Sequence, residues 1–255
     1  MFKGLVGLVT GGGSGLGYAT VEQLLKQGGR VVMCDLPSSN GQEKAKQLKE
    51  NVVFVPVDVT SENDIKNALQ TTIDKFGRLD VVVNCAGVAG ASRVYNFKKN
   101  QPHDLAMFQK TIDVNLTGTF NVIRLVAGVI GKNTPDDNGQ RGVIINTASV
   151  AAFDGQIGQA AYAASKAGIV GMTLPIARDF AVSGIRVVTI APGLFRTPMM
   201  SMLPEPAIKS LEQTVPFPSR LGNPEEFALL VKSIIENPML NGETIRLDGA
   251  LRMQP

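Results

Sequence analysis

Seven short apolar runs recur along this chain, with helical patterns between them. The runs are Leu5–Thr10, Arg30–Asp35, Val52–Val57, Val81–Val83, Val143–Thr147, Ile185–Ile190 and Thr244–Leu247. They are rich in Val and Ile and bounded by Gly or polar residues, so each reads as a buried strand. The intervening patterns predict helices through Tyr18–Leu25, Gln42–Glu50, Ser61–Phe76 (with Ser61 as N-cap), His103–Ile130, a stretch ending near Ala181, and Pro224–Ile235. Strands alternating with helices from end to end give the α/β class, a doubly wound parallel sheet of seven strands flanked by helices on both faces. With 255 residues and no linker-like or repeated segment, the chain is expected to form a single domain over 1–255.

Ligands of such sheets bind beyond the carboxyl ends of the strands. The polar and glycine residues of this chain collect there: the loop Gly11–Gly17, then Asp35, Asp58, Asn84, Ser149 and Pro192. Glycines after a first strand let the backbone turn tightly against a pyrophosphate, while the next helix offers its unpaired N–H groups. The spacing here is Thr10-Gly11-x-x-x-Gly15-x-Gly17, which departs from the G-x-G-x-x-G fingerprint. Asp35 ends the second strand eighteen residues past Gly17. A carboxylate there accepts hydrogen bonds from ribose hydroxyls and repels a 2′-phosphate, which favours NAD over NADP. Position 14 is Ser, and Gly11–Gly17 holds no Arg or Lys to receive such a phosphate.

Tyr162 and Lys166 lie four apart in an Ala-rich run. On a helix they share a face, and an ammonium beside a phenol favours the phenolate and makes it a usable base. The same spacing is common on solvated helix faces. Position decides between the two readings, because Ser149 stands at a strand end thirteen residues earlier.

Composition removes several other classes. The single histidine, His103, lies in a polar stretch and is expected to be solvated, which rules out a multi-histidine metal site, and no metal is expected. Net charge is +3 and the basic residues are dispersed, so there is no stripe for nucleic acid. Two cysteines make no disulfide framework and suggest a reducing compartment. No run of about eighteen apolar residues predicts a membrane helix. The N-terminus runs directly into the first strand, leaving no room for a leader in the chain as given.

Thr10-Gly-x-x-x-Gly15-x-Gly17, Asn84-Cys85-Ala86-Gly87, Asn115, Ser149, Tyr162-x-x-x-Lys166 and Pro192-Gly193 together resemble the classical short-chain dehydrogenase/reductase family, in order and over nearly the whole chain. The resemblance implies a Rossmann-like fold and NAD-dependent interconversion of a secondary alcohol and a ketone. It implies a catalytic set of Asn115, Ser149, Tyr162 and Lys166. Tyr162 would be the acid/base, Lys166 the ribose and pKa partner, and Asn115 the support of a water-linked relay. Ser149 and Tyr162 would hold the substrate oxygen. Cofactor contacts would come from Gly11, Ser14, Gly15, Leu16, Gly17, Asp35, Asp58, Val59, Asn84, Cys85, Ala86, Gly87, Tyr162, Lys166, Pro192, Gly193, Phe195 and Thr197.

Stretches such as Asn146–Phe153, Gly168–Asp179 and Ile245–Pro255 are similar to members that oxidise 3-hydroxyacyl-CoA esters and hydroxysteroids. Those members imply a homotetramer, with contact faces on His103–Ile130 and Gln156–Ala181. They imply the mitochondrial matrix for an animal chain and the cytoplasm for a bacterial one. Their animal representatives are also associated with mitochondrial tRNA processing, so a non-catalytic scaffold is the competing function. A scaffold would be free to lose Tyr162 or Lys166, and both are present.

Two stretches stay open in the sequence. The irregular region at about 194–222 carries five prolines and the apolar group Met199, Met200, Met202 and Leu203. That group reads equally as a cover over an apolar substrate or as an ordinary loop anchor. Lys98-Lys99 reads either as a solvated loop or as a contact for the phosphates of an acyl-CoA.

Overall fold

The strands and helices follow the sequence patterns closely in the computed structural model, which describes residues 2–202 and 204–254. In chain order they are β1 (Val6–Thr10), α1 (Gly15–Lys26), β2 (Arg30–Asp35), α2 (Gly41–Leu48), β3 (Val52–Pro56), α3 (Glu62–Phe76) and β4 (Val81–Asn84). A small hairpin follows, β5 (Tyr95–Asn96) and β6 (Gln101–Pro102), and then α4 (Leu105–Ile112). The chain continues through α5 (Gly118–Ile130), β7 (Gly142–Thr147), α6 (Ala160–Ala181) and β8 (Ile185–Pro192). It ends with α7 (Glu205–Gln213), α8 (Pro224–Glu236) and β9 (Thr244–Leu247).

Seven strands form one sheet in the order β3-β2-β1-β4-β7-β8-β9. All six pairings are parallel. The order reverses between β1 and β4, which opens a crevice at their carboxyl ends. Side chains alternate across the sheet. Leu8, Val32, Val82, Ile144 and Val187 pack under α3, α5 and α6, with Ile65, Val122, Val126 and Ile176. Val9, Val31, Val83, Ile145 and Val188 pack under α1 and α8, with Leu24, Phe227 and Val231. Each of these large buried side chains contributes roughly 1.5–3 kcal/mol by leaving water. Ser61 caps α3 as the sequence predicts, its hydroxyl accepting from the Asp64 N–H at 3.3 Å.

Three elements depart from expectation. The helix predicted over His103–Ile130 is interrupted by a π-helical segment, Asp113–Thr117, so that α4 and α5 join through a widened turn. Residues 194–222 are not wholly irregular: they hold a short 3₁₀ turn, Met200–Met202, and the amphipathic helix α7. Their two ends meet where Phe195 bridges Gly222. Prolines at 204 and 206 look like breakers in the sequence, but they stand at the start of α7, where a missing N–H costs nothing. His103 is half-buried rather than solvated. Its Nδ1 lies 3.2 Å from the Ser92 carbonyl and its ring packs edge-on against Phe108.

Candidate active site

Ser149 leaves the carboxyl end of β7 in an extended conformation and caps a 3₁₀ turn, Val150–Ala152. Its Oγ accepts the Ala151 N–H at 3.1 Å, which fixes the rotamer. Tyr162 and Lys166 sit one turn apart in the N-terminal half of α6. The Ser149 side chain is the neighbour that favours the charged form of the Tyr162 phenol. Lys166 is buried, and its Nζ donates to the Thr147 carbonyl at 2.9 Å. The ammonium lies 5.8 Å from the centre of the Tyr162 ring. A hydroxyl, a phenol and an ammonium therefore converge at one strand end.

Burial governs the electrostatics of this cluster. It pushes the Tyr162 phenol above its ordinary value, and the Ser149 side chain pulls the other way. The same burial lowers Lys166 to about 8, opposed by the nearby Cys85 thiol. The ammonium donates one of its hydrogen bonds to Thr147, and loss of water disfavours the charged form of both Tyr162 and Lys166. Cys85 is itself pushed up to about 11 by burial, against the pull of Thr147 and Lys166.

Asn115 is fully buried in the π segment. Its side chain grips the Val88 backbone, donating to the carbonyl at 2.9 Å and accepting from the N–H at 2.8 Å. Its Nδ2 also donates to Ser165 Oγ at 3.0 Å, and its own carbonyl accepts from Thr119 Oγ1 at 2.7 Å. A methyl group at Gly87 would lie 3.1 Å from Asn115 Oδ1 and 3.5 Å from Lys166 Nζ. Glycine there lets the strand end, the π segment and the lysine share one small space.

The Gly-rich turn is held by contact as much as by conformation. A Cβ on Gly17 would stand 2.2 Å from the Gly11 carbonyl oxygen, and one on Gly11 2.7 Å from the Ala86 nitrogen. Ser14 is the N-cap of α1 but makes no side-chain capping bond, which leaves the first N–H groups of the helix for an anion. The Asp35 carboxylate accepts the Gly13 N–H at 2.8 Å and the Leu36 N–H at 2.7 Å. Lys44 reaches the same turn from α2, donating to the Gly13 carbonyl at 2.7 Å.

A family model described as short chain dehydrogenase matches residues 6–207. The chain belongs to the short-chain dehydrogenase family. It is 66% identical to the human 3-hydroxyacyl-CoA dehydrogenase type-2, over 99% of this chain and 97% of that one. The crystal structure of 3-hydroxyacyl-CoA dehydrogenase type-2 from Mycobacterium avium is 44% identical and superposes with a TM-score of 0.95, over 100% of this chain and 98% of that one. A 3-ketoacyl-(acyl-carrier-protein) reductase from Brucella melitensis, crystallised with NADH, is 26% identical with a TM-score of 0.86, over 99% of this chain and 100% of that one.

Within this short-chain dehydrogenase, the remaining candidate contacts divide into two groups. Gly15, half-buried Leu16, Ala86, Pro192, Gly193 and Thr197 lie at strand ends or on the turns that follow them. Thr197 folds back onto the glycine turn, its Cγ2 being 3.3 Å from where a Gly15 Cβ would stand. Val59 and Phe195, in contrast, turn their side chains into the core. Val59 packs on Gly118, and Phe195 packs on Gly222. Only their backbones are left to face a ligand. Asn84 pairs across the sheet with Asn146 at 2.9 Å and is a buried structural residue. Asp58 binds the N–H and hydroxyl of Thr60 at 2.9 and 2.7 Å. Thr147 and Lys44 were invisible as site residues in the sequence: the first acts through a backbone carbonyl, and the second through a long reach from another helix.

Among the described residues no group of His, Cys, Asp and Glu could hold a metal ion. No helix among them is long and apolar enough to cross a membrane.

Proposed function

We propose that this chain is an NAD-dependent dehydrogenase that oxidises 3-hydroxyacyl-CoA esters to 3-oxoacyl-CoA, with hydroxysteroids as a secondary substrate class. The observation that carries the chemistry is Tyr162 one helical turn before the buried Lys166 on α6, with the lysine fixed on the Thr147 carbonyl two residues before Ser149. The names of the human and mycobacterial relatives support the substrate. Asp35 at the glycine turn supports NAD over NADP, since its carboxylate repels a 2′-phosphate.

The residues would act as follows. The N-terminal N–H groups of α1 and the turn Gly11–Gly17 receive the pyrophosphate, and Asp35 the adenosine ribose. When bound, the nicotinamide ring supplies the hydride acceptor. Ser149 orients the substrate hydroxyl, and Tyr162 as phenolate takes its proton. Lys166 steadies the phenolate and the nicotinamide ribose, and Asn115 holds the strand end at Val88 beside it. In the reverse direction the phenol returns the proton to the carbonyl oxygen.

We assign residues 1–255 to one catalytic domain, in which 194–222 covers the substrate side. Met199 is 42% exposed there, as an apolar lining needs, whereas Leu203 lies outside the described residues. Lys98 and Lys99 stand exposed at the tip of the β5–β6 hairpin, where they suit the phosphates of coenzyme A. Exposed Leu105, Phe120 and Leu174 on α4, α5 and α6 support a homotetramer built on those helices. Compartment follows the source by resemblance: the mitochondrial matrix for an animal chain, the cytoplasm for a bacterial one. A turnover panel decides the function: NAD and NADP against 3-hydroxyacyl-CoA esters of several lengths and hydroxysteroids. Activity with none of the acyl-CoA esters would overturn the substrate. Light scattering tests the tetramer.

A further inference from the structure

The last strand and the tail beyond it reach two of the loops that frame the site. Arg246, on β9, donates from Nη2 to Asp154 Oδ2 at 2.6 Å and to the Leu251 carbonyl at 2.9 Å. Its Nε donates to Asp248 Oδ2 at 2.7 Å, and its guanidinium lies over the Phe153 ring at 5.2 Å. Gln156 Nε2 donates to the Gln254 carbonyl at 2.9 Å. Phe153, Asp154 and Gln156 belong to the segment that runs from Ser149 to Tyr162.

The other wall is held from the same place. The Gly193 N–H donates to the Leu247 carbonyl at 2.9 Å. A Cβ on Gly193 would stand 2.9 Å from the Asp248 Cβ. Leu251, 1% exposed, roots the tail. The Arg246 and Asp154 side chains are only 21% and 19% exposed, so their ion pair is less screened than a surface pair.

We propose that Arg246 is a positioning residue: with Asp154 it clasps the Ser149–Tyr162 segment to the Pro192–Gly193 turn and so sets the placement of Ser149 against Tyr162. The inference rests on the reading of Ser149 and Tyr162 as the proton-handling pair. Among the described residues, losing Arg246 leaves the segment tied to the tail through Gln156, and losing Asp154 leaves that bond and the Arg246–Phe153 contact; either loss loosens Ser149. Displacements of this kind weaken catalysis without emptying the cofactor site.

The test uses the full chain with Arg246→Met, Asp154→Asn and the double variant, beside Tyr162→Phe. The expected result is a fall in kcat of about tenfold for each single variant, with NAD affinity within about twofold. The double variant should lose no more than the worse single one, because both remove one bond. The midpoint of the rise in oxidation rate with pH should also move upward. The Ser149 side chain favours the phenolate of Tyr162, so its displacement lets the phenol rise, while Lys166 and Cys85 behind it are unaltered. A purely structural role would lower the melting temperature and leave kcat per folded enzyme and the pH midpoint unchanged, and that outcome overturns the proposal. Asp154→Asn keeps the test open if Arg246→Met fails to fold. If Tyr162→Phe stays active, the reading of the site fails instead. If Tyr162→Phe is dead and both clasp variants match wild type, only the clasp fails.

Discussion

The Lys166 ammonium is bound to the Thr147 carbonyl at 2.9 Å, while the centre of the Tyr162 ring is 5.8 Å away. The lysine is therefore anchored to the strand end rather than to the phenol. The neighbour that favours the Tyr162 phenolate, against burial, is the Ser149 side chain.

On the proposed reading, Tyr162→Phe removes the group that exchanges a proton with the substrate oxygen. Turnover should fall at least about a hundredfold. NAD affinity, measured by titration of intrinsic or nucleotide fluorescence, should stay close to wild type. Substantial residual dehydrogenase activity would show that another residue is the base.

The raised phenol gives the pH dependence a sign. Below its pKa Tyr162 is protonated and suited to donate in ketone reduction; above it the phenolate is suited to accept in alcohol oxidation. Oxidation should therefore rise toward alkaline pH and reduction should fall, as steady-state rates in both directions would report. Lys166, lowered to about 8, loses its charge before the raised phenol titrates, which works against the phenolate and should push the rise in oxidation to still higher pH.

Asp35→Asn keeps the shape of the turn and removes the charge. The amide oxygen can keep the Gly13 N–H, and the exposed Leu36 N–H that loses its acceptor can turn to water, so folding should change little. NAD affinity should drop about tenfold and NADP affinity should rise, since the repulsion of a 2′-phosphate is gone. Lys44, already on the Gly13 carbonyl, adds a cation at that end. Unchanged preference between the two dinucleotides would remove Asp35 from the ribose site.

Gly17→Ala puts a methyl group 2.2 Å from the Gly11 carbonyl oxygen, where backbone rather than a flexible side chain must give way. The turn should open, costing about 1–3 kcal/mol of stability and most of the NAD affinity. Gly77→Ala is the control. It meets no atom within 4 Å, so its cost is only that of a left-handed residue at the end of α3.

Much of this architecture was legible from residue order alone. The strands are short Val/Ile runs whose period and length have few alternatives, and all seven form. The strand-end residues follow from them, which is why Ser149, Tyr162 and Lys166 could be brought together without coordinates. What was not legible depends on neighbours distant in sequence. Val59 and Phe195 sit where a ligand contact is expected, but Gly118 and Gly222 offer their side chains a hole in the core. The helix α7 is short and begins among prolines. Arg246 is an ordinary alternating residue of an edge strand until Asp154, ninety-two positions away, is set beside it. The helical spacing of Tyr162 and Lys166 says nothing of the Thr147 carbonyl that accepts from the ammonium.

The widened turn at Asp113–Thr117 has a consequence for how the gene can change length. An ordinary α-helix advances about 100° per residue. Deleting one residue between 113 and 117 would restore that pitch and leave a continuous, well-formed helix. It would also take up the widened turn that carries Asn115 and draw its side chain off the Val88 backbone. A single-codon loss here would thus leave the helix whole and the candidate site disturbed.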